Sequence, residues 1–120
     1  MIQNLEQIRA KHAFEAKENC KKEDGDALSG YPSLVINNGL IATLAFSIEK
    51  KGQHKAVADA IAIHFERLPD TFGNLLKENE ATAQGLLKAL QNSDAIHLRR
   101  CTDEALAYLS YLKRFVRSAS

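Results

Sequence analysis

Cysteine, proline and tryptophan are scarce in this chain of 120 residues, which contains two, two and none of them. Cys20 and Cys101 lie far apart in the sequence and match neither a metal-binding nor a redox spacing. We therefore interpret them as two reduced thiols that pack inside a cytoplasmic protein, and a disulfide between them is the alternative.

Long apolar runs are also lacking. Polar residues between Gln3 and Gln7 stand where a signal peptide would need its apolar segment. The most apolar stretch, residues 34–48, is too short to span a bilayer and is interrupted by Asn37, Asn38 and Gly39. The sequence therefore predicts a cytoplasmic protein that has no membrane partner.

The chain also lacks an excess of either charge, because its formal net charge at pH 7 is +1. The molecule as a whole then has no strong electrostatic field, and any attraction for nucleic acid must come from local clusters. This argues against a protein that binds nucleic acid tightly on its own. It is compatible with a subunit that adds a few contacts within a larger complex.

Motifs typical of catalysis or metal binding are absent from the sequence. The spacing of Asp94 and His97 suits two ligands on one helix, but no second pair completes a metal site. Nucleophile elbows, phosphate-binding loops and HExxH patterns do not occur. We predict no catalytic site, metal or cofactor, and a histidine–cysteine dyad is the alternative.

Apolar residues recur at the spacing of an α-helix through most of the chain, and no alternation predicts a strand. The predicted helices cover residues 2–21, 27–38, 40–51, 53–68, 81–90 and 102–117, with a short helix after Pro69 and a helical turn at 93–100. Thr102 is the expected N-cap of the last helix. The third helix is apolar on nearly all sides and is expected to be the central one. We predict an all-α fold, a single-domain bundle of five to six helices over residues 1–120.

Positive charges gather at the ends of two predicted helices. Lys50 and Lys51 end the third helix, and Lys113, Arg114 and Arg117 lie near the end of the last one. Each cluster is either a solvated helix end, which the helix dipole favours, or a set of contacts to phosphates.

Arg9 falls near the middle of the apolar side of the first helix. An arginine in this position has two interpretations. Its stem lies along the bundle while its guanidinium pairs with a carboxylate, or the guanidinium meets a phosphate or a neighbouring subunit.

Three segments together resemble a known family. They are Gln7-x-Arg9-Ala10, residues 32–50 with Asn38-Gly39-Leu40 and Leu44-Ala45-Phe46, and residues 102–115 ending in Leu112-Lys113-Arg114-Phe115. At this spacing in so short a chain they are similar to the small helical subunit of the type III-B CRISPR RAMP module (Cmr) effector complex. Tyr111 and Val116 depart mildly from the tryptophan and alanine that are usual there.

The resemblance implies a non-catalytic subunit of a ribonucleoprotein that helps to hold target RNA against guide RNA in antiviral defence. The implied partners are the backbone and large subunits, further copies of the chain, and the duplex of guide RNA and target RNA. A helical protein–protein adaptor without direct RNA contact is the alternative. The candidate RNA-binding residues are Arg9, Lys50, Lys51, Lys113, Arg114 and Arg117.

Overall fold

Six α-helices make up most of the described part of the chain, and no described residue lies in a β-strand. The computed structural model describes residues 4–17, 25–68, 75–76 and 79–118, without the side chains at 25, 26, 117 and 118. The helices are α1 (Leu5–Ala16), α2 (Gly25–Asn38), α3 (Leu40–Lys50), α4 (Gly52–Glu66), α5 (Ala83–Gln91) and α6 (Ala95–Ser118). The predicted all-α bundle is confirmed. Apart from residues 75 and 76, which lie in a turn, the short helix expected after Pro69 lies outside the described residues.

One hydrophobic core joins the helices. The longest helix, α6, packs against α1 and α2, while α3 packs against α4 and α5. The largest fully buried apolar side chains of this core are Tyr31, Tyr108, Leu28, Leu40, Leu44, Ile61, Leu86, Leu90, Leu109, Leu112 and Val35. Burial of such side chains is the main stabilising contribution, about 1.5–3 kcal/mol for each large aliphatic one. None of the helices in the described ranges is long and apolar enough to cross a membrane.

Helix α4 is more buried than α3. Seven residues of α4 are buried, against four of α3. The outer side of α3 carries Ala42, Ala45 and Phe46, and the Phe46 side chain is 41% exposed. The expectation that the third helix is central was therefore wrong, because an all-round apolar pattern made partly of alanines does not require neighbours on every side.

The last helix begins seven residues before the expected N-cap. Asp94 caps it, because its Oδ1 accepts a hydrogen bond of 2.7 Å from the backbone N–H of His97. Thr102 instead lies inside α6, where its hydroxyl donates to the carbonyl of Leu98 at 2.9 Å. A threonine that bonds back to residue i−4 fits within a helix, so Thr102-Asp103-Glu104 does not mark a start. The spacing of Asp94 and His97 thus belongs to a helix cap.

Gly85 has a steric role that helix propensity alone does not reveal. A Cβ atom at this position would overlap the backbone carbonyl of Glu80. Replacement by alanine should therefore destabilise the fold by about 1–3 kcal/mol, although alanine favours an isolated helix by about 1 kcal/mol. Urea denaturation measures the change.

Gly30 in α2 provides the matched control, since a Cβ atom there meets nothing within 4 Å. Gly30→Ala should stabilise by about 0.5–1 kcal/mol. Equal stabilisation by Gly85→Ala and Gly30→Ala would contradict the steric role of Gly85.

Candidate functional site

The predicted cluster of Lys50 and Lys51 lies at the corner between α3 and α4. Lys51 has φ 63° and ψ −163°, and Gly52 follows with φ 60° as the first residue of α4. These two positive φ values turn the chain between the helices, and for a lysine such a conformation costs about 1–3 kcal/mol. Both lysine side chains are exposed, so the corner presents two ammonium groups to solvent.

The beginning of α4 makes the same corner attractive to anions. In the described part of the chain, no side chain caps the backbone N–H groups of its first turn. Unsatisfied N–H groups and the helix dipole both favour a negative charge at this end. A shallow cavity of about 450 Å³ lies here, lined by Ala27, Lys50, Lys51, Gly52, Gln53 and His54.

Aromatic rings adjoin these lysines. The Nζ atom of Lys50 lies 5.5 Å from the ring centroid of Phe46, within cation–π distance. His54 contacts the Phe46 ring edge to face, with centroids 5.3 Å apart. Burial and the charge of Lys50 lower the pKa of His54. Lys55, one turn further on, pairs with Asp59 at 2.9 Å and so contributes little net charge.

A second cavity contains Lys113 and Arg114. The Lys113 side chain is half-buried and that of Arg114 is exposed, and both border a groove of about 450 Å³. The other residues that line it are Pro32, Ile36, Leu106 and Ser110. Ile36 is 69% exposed, so this groove is apolar as well as basic. Arg117 follows within α6, but its side chain lies outside the described part.

The two basic clusters line two different cavities. Their cavities share no lining residue. Helix α2 contributes Ala27 to the first cavity and Ile36 to the second, and nine residues at 100° each place these two positions on opposite sides of the helix. The candidate residues therefore form two separate clusters, with α2 between them.

Arg9 is occupied by a carboxylate of the same chain. Its Nε donates to Oε2 of Glu104 at 2.8 Å, and its Nη2 donates to Oε1 at 2.6 Å. This hydrogen bonding raises the pKa of Arg9. Of the two interpretations of Arg9, pairing with a carboxylate at the bundle edge is the one that the structure contains.

Glu104 also holds a buried histidine pair that sequence analysis did not find. The Nε2 atom of His64 lies 2.9 Å from Oε2 of Glu104, and the two Nδ1 atoms of His64 and His12 are 2.8 Å apart. The ring of His64 stacks on Tyr108 with centroids 4.2 Å apart. This polar chain of four residues, from Arg9 through Glu104 and His64 to His12, connects α1, α6 and α4. An arginine on an apolar face was the one sequence signal for it.

Burial sets the protonation of this polar chain. It opposes the charged form of Glu104, but the hydrogen bonds from Arg9 and His64 outweigh it, and the pKa of Glu104 stays below its ordinary value. Burial lowers the pKa of His64. Burial lowers the pKa of His12 to about 4, together with repulsion from His64 when that ring is protonated and from the charge of Arg67. At neutral pH the carboxylate is ionised and both histidines are neutral.

The cysteine that the structure describes is a buried thiol. Cys101 is fully buried, and burial raises its pKa to about 11, so it is a poor nucleophile at neutral pH. Cys20 lies outside the described residues. Within the described ranges, no group of three histidine, cysteine or acidic side chains is placed to hold a metal ion.

Comparisons with known proteins identify the family. The family model described as CRISPR-associated protein (Cas_Cmr5) matches residues 5–119. The crystal structure of a CRISPR-associated Cmr5 family protein from Thermus thermophilus is similar to this chain, with a TM-score of 0.77 and 25% sequence identity. The similarity covers 97% of each chain. This chain therefore belongs to the Cmr5 family and is a CRISPR-associated subunit of the Cmr type.

Proposed function

We propose that this chain is a non-catalytic subunit of a type III-B CRISPR ribonucleoprotein and helps to hold target RNA against the guide RNA. Its role in antiviral defence is electrostatic and geometric: it contacts the RNA backbone while other subunits supply the chemistry. The observation that carries the proposal is the corner between α3 and α4. There, Lys50 and Lys51 lie beside a helix N-terminus that no described side chain caps.

The corner suits a phosphate for three reasons. Both lysines are exposed, and none of the ion pairs among the described side chains involves them. The first turn of α4 offers backbone N–H groups to the same space. The exposed ring of Phe46 adds a surface for a neighbouring base.

The other candidate residues differ in how well they suit this role. The bonds from Arg9 to Glu104 make Arg9 a structural residue first. Lys113 and Arg114 adjoin the apolar side chains of Pro32 and Ile36, which are a poor match for a phosphate backbone. We therefore assign the main RNA contact to Lys50 and Lys51, with the cluster at the end of α6 as a further contact.

Neutralising Lys50 and Lys51 together with glutamine should weaken capture of target RNA by the assembled complex. Each lost phosphate contact should reduce the slope of log affinity against log salt by about 0.7–0.9. Two contacts then correspond to a loss of about tenfold at physiological salt, independent of target sequence. Filter binding or anisotropy over a salt series measures both quantities.

The control replaces Lys11 and Lys88 by glutamine, because both are exposed lysines on other helices and the change in net charge is the same. This variant should keep the wild-type affinity and slope. An unchanged slope in the variant without Lys50 and Lys51, in a complex of normal composition, would contradict the proposed phosphate contact.

The alternative role, that of a protein–protein adaptor, is favoured by the groove beside α6. An isoleucine that is 69% exposed next to Pro32 and Leu106 is typical of a surface that another protein covers. Crosslinking of the assembled complex separates the roles. RNA adducts at the corner between α3 and α4 support the RNA contact, and peptide adducts at the groove without any RNA adduct support the adaptor.

A further inference from the structure

A third cavity, unrelated to the basic clusters, lies between α1 and α4. It has a volume of about 450 Å³, which is within the usual range for small-molecule sites. Helix α1 contributes three of its lining residues, α6 one, and α4 and the residue that follows it the others. They are His12, Glu15, Ala16, Ala56, Asp59, Ala60, Ile63, His64, Arg67 and Tyr108.

The hydrogen-bond chain determines which atom His12 presents to this cavity. The ionised Glu104 only accepts, so His64 carries its proton on Nε2 and its Nδ1 is a bare acceptor. His12 must then donate from Nδ1 to the Nδ1 of His64. A neutral histidine carries one ring proton, and in His12 this proton lies on Nδ1. The Nε2 atom of His12 is therefore unprotonated, and its lone pair can accept a hydrogen bond.

This lone pair is directed to the cavity. The His12 side chain is buried, with 7% of its surface exposed, and its hydrogen bond within the described residues is made by Nδ1. No buried side-chain nitrogen or oxygen in the described part lacks a partner. The Nε2 atom of His12 has no partner in that part, so it is not fully buried. It must therefore be exposed to the cavity that His12 lines. Hydrogen bonding to an ionised carboxylate through His64 also makes it a stronger acceptor.

The walls of the cavity restrict the shape of a ligand. Ala16 of α1 faces Ala56 and Ala60 of α4, and these short side chains leave a slot between the two helices. The parallel rings of His64 and Tyr108, 8° from coplanar, also line it.

Charged side chains also line the cavity, but they have partners in this chain: Glu15 pairs with Arg67, and Asp59 accepts from Lys55 and from the backbone N–H of Ala83. The Nε2 atom of His12 is thus the ring acceptor in the cavity without a partner in the described part, and short apolar walls beside it suit a flat ligand that has a hydrogen to donate.

We infer that the slot between α1 and α4 binds a planar heterocycle that donates an N–H to the Nε2 atom of His12. A nucleobase has this chemistry, whether as a free metabolite or as an unstacked base of a single-stranded RNA. The inference does not depend on the proposed RNA contact at Lys50 and Lys51, because the two cavities share no residue.

Two probes with the same ring test the donor requirement on the unaltered chain. Uracil has N–H donors, whereas 1,3-dimethyluracil has none. The titration is followed by the ¹⁵N resonances of the histidine rings, and uracil should shift the Nε2 resonance of His12. Uracil should also bind at least about tenfold more tightly than 1,3-dimethyluracil, because the dimethyl compound leaves the acceptor without a hydrogen bond. No shift at His12, or equal affinity for the two compounds, would overturn the inference.

Filling the slot is the second test. Ile63 lines it and is 41% exposed, so Ile63→Phe adds bulk in the slot without altering the hydrogen-bond chain. It should abolish the uracil-dependent shift. Ile96→Phe, at a position that is 77% exposed and outside the slot, is the control and should bind uracil normally. Equal binding by both variants would count against the slot.

A competition experiment identifies the source of the heterocycle. Displacement of uracil by a five-residue oligouridylate supports a base presented by an RNA strand. Uracil binding that the oligonucleotide does not displace supports a free heterocycle. Glutamine at positions 50 and 51 should leave uracil binding unchanged in either case, so failure of the RNA contact and failure of this site are distinguishable.

Discussion

Replacing Glu104 by alanine should destabilise the fold by about 3–5 kcal/mol, the range for removing one partner of a buried ion pair. Only 2% of the Glu104 side chain is exposed, and it accepts two hydrogen bonds from Arg9 and one from His64. Its loss leaves a guanidinium that is 23% exposed without its partner, and it removes the acceptor for the buried proton on His64. Urea denaturation should show a lower midpoint with an unchanged m-value.

The size of this effect follows from the position of the carboxylate. Glu104 is the point at which α1, α4 and α6 share polar contacts, through Arg9, His64 and Glu104 itself. In the variant, a side chain from each of the other two helices loses a partner in a region of low dielectric. Unsatisfied buried groups each cost about 1–3 kcal/mol, and a charged group costs more.

Two further variants separate charge from position. Asp103→Ala removes the neighbouring acid, which is exposed, and should change stability by less than about 0.5 kcal/mol. Glu104→Gln keeps the shape but loses the charge, so it should fall between alanine and the wild type. If Glu104→Ala is no more destabilising than Asp103→Ala, the carboxylate is not the centre of a stabilising network.

The sequence predicted the elements of this fold better than it predicted their polar contacts. Helical periodicity identified α1 to α6 because one face of each helix must meet the core. The start of α6 was missed since Thr102 has the residue type of an N-cap and yet bonds back to Leu98 within the helix. Side-chain type alone does not distinguish these two uses of a threonine.

The network around Glu104 was not predictable from spacing. Arg9 and Glu104 are 95 residues apart, and His12 and His64 are 52 apart. Local pattern carries no information about pairs of this kind, which exist only once α1 has docked on α6 and α4. A carboxylate partner was one of two interpretations of the arginine on an apolar face, and the sequence did not indicate which acid it would be.

The basic clusters illustrate the same limit. Lys50 and Lys51 were identified from the end of a predicted helix, and the structure adds the uncapped start of α4 beside them. Lys113 and Arg114 were identified in the same way, yet they border an apolar groove on the far side of α2. Sequence placed both sets at helix ends, whereas only the packing of α2 separates the two cavities that they line.

Stability should fall as the pH is lowered from about 6.5 to about 4, because of the buried histidines. The pKa of His12 is about 4 in the folded chain, against an ordinary value of 6.5, and that of His64 is also lowered. Between these values the unfolded chain binds more protons than the folded one, so the free energy of unfolding rises with pH. The contribution is complete above about pH 6.5 and is lost as the pH falls through about 4.

The physical cause is a charge that the fold cannot solvate. Protonation of His12 at Nε2 leaves its bond to His64 intact, but it creates a cation in a side chain that is 7% exposed. The charges of Arg67 and Lys11 oppose that cation, and Glu15 only partly offsets them. At 1.36 kcal/mol for each pKa unit, His12 alone accounts for about 2–3 kcal/mol over this pH range.

Glutamine at position 12 isolates this contribution, since its amide N–H can still donate to the Nδ1 of His64 and it does not titrate. Urea denaturation is measured from pH 4.5 to 7.5. The slope of the free energy of unfolding against pH should be smaller for His12→Gln than for the wild type, by an amount equivalent to up to one bound proton. His97→Gln changes a histidine outside the network and should keep the full slope. The Glu104 carboxylate adds to the loss only near the acid end of this window, because its pKa is lowered from the ordinary value of 4.5, and it contributes equally in both chains. An identical slope in His12→Gln and the wild type would mean that His12 titrates normally in the folded chain. In that case Nε2 is solvated, and the argument for a buried acceptor in the slot between α1 and α4 fails with it.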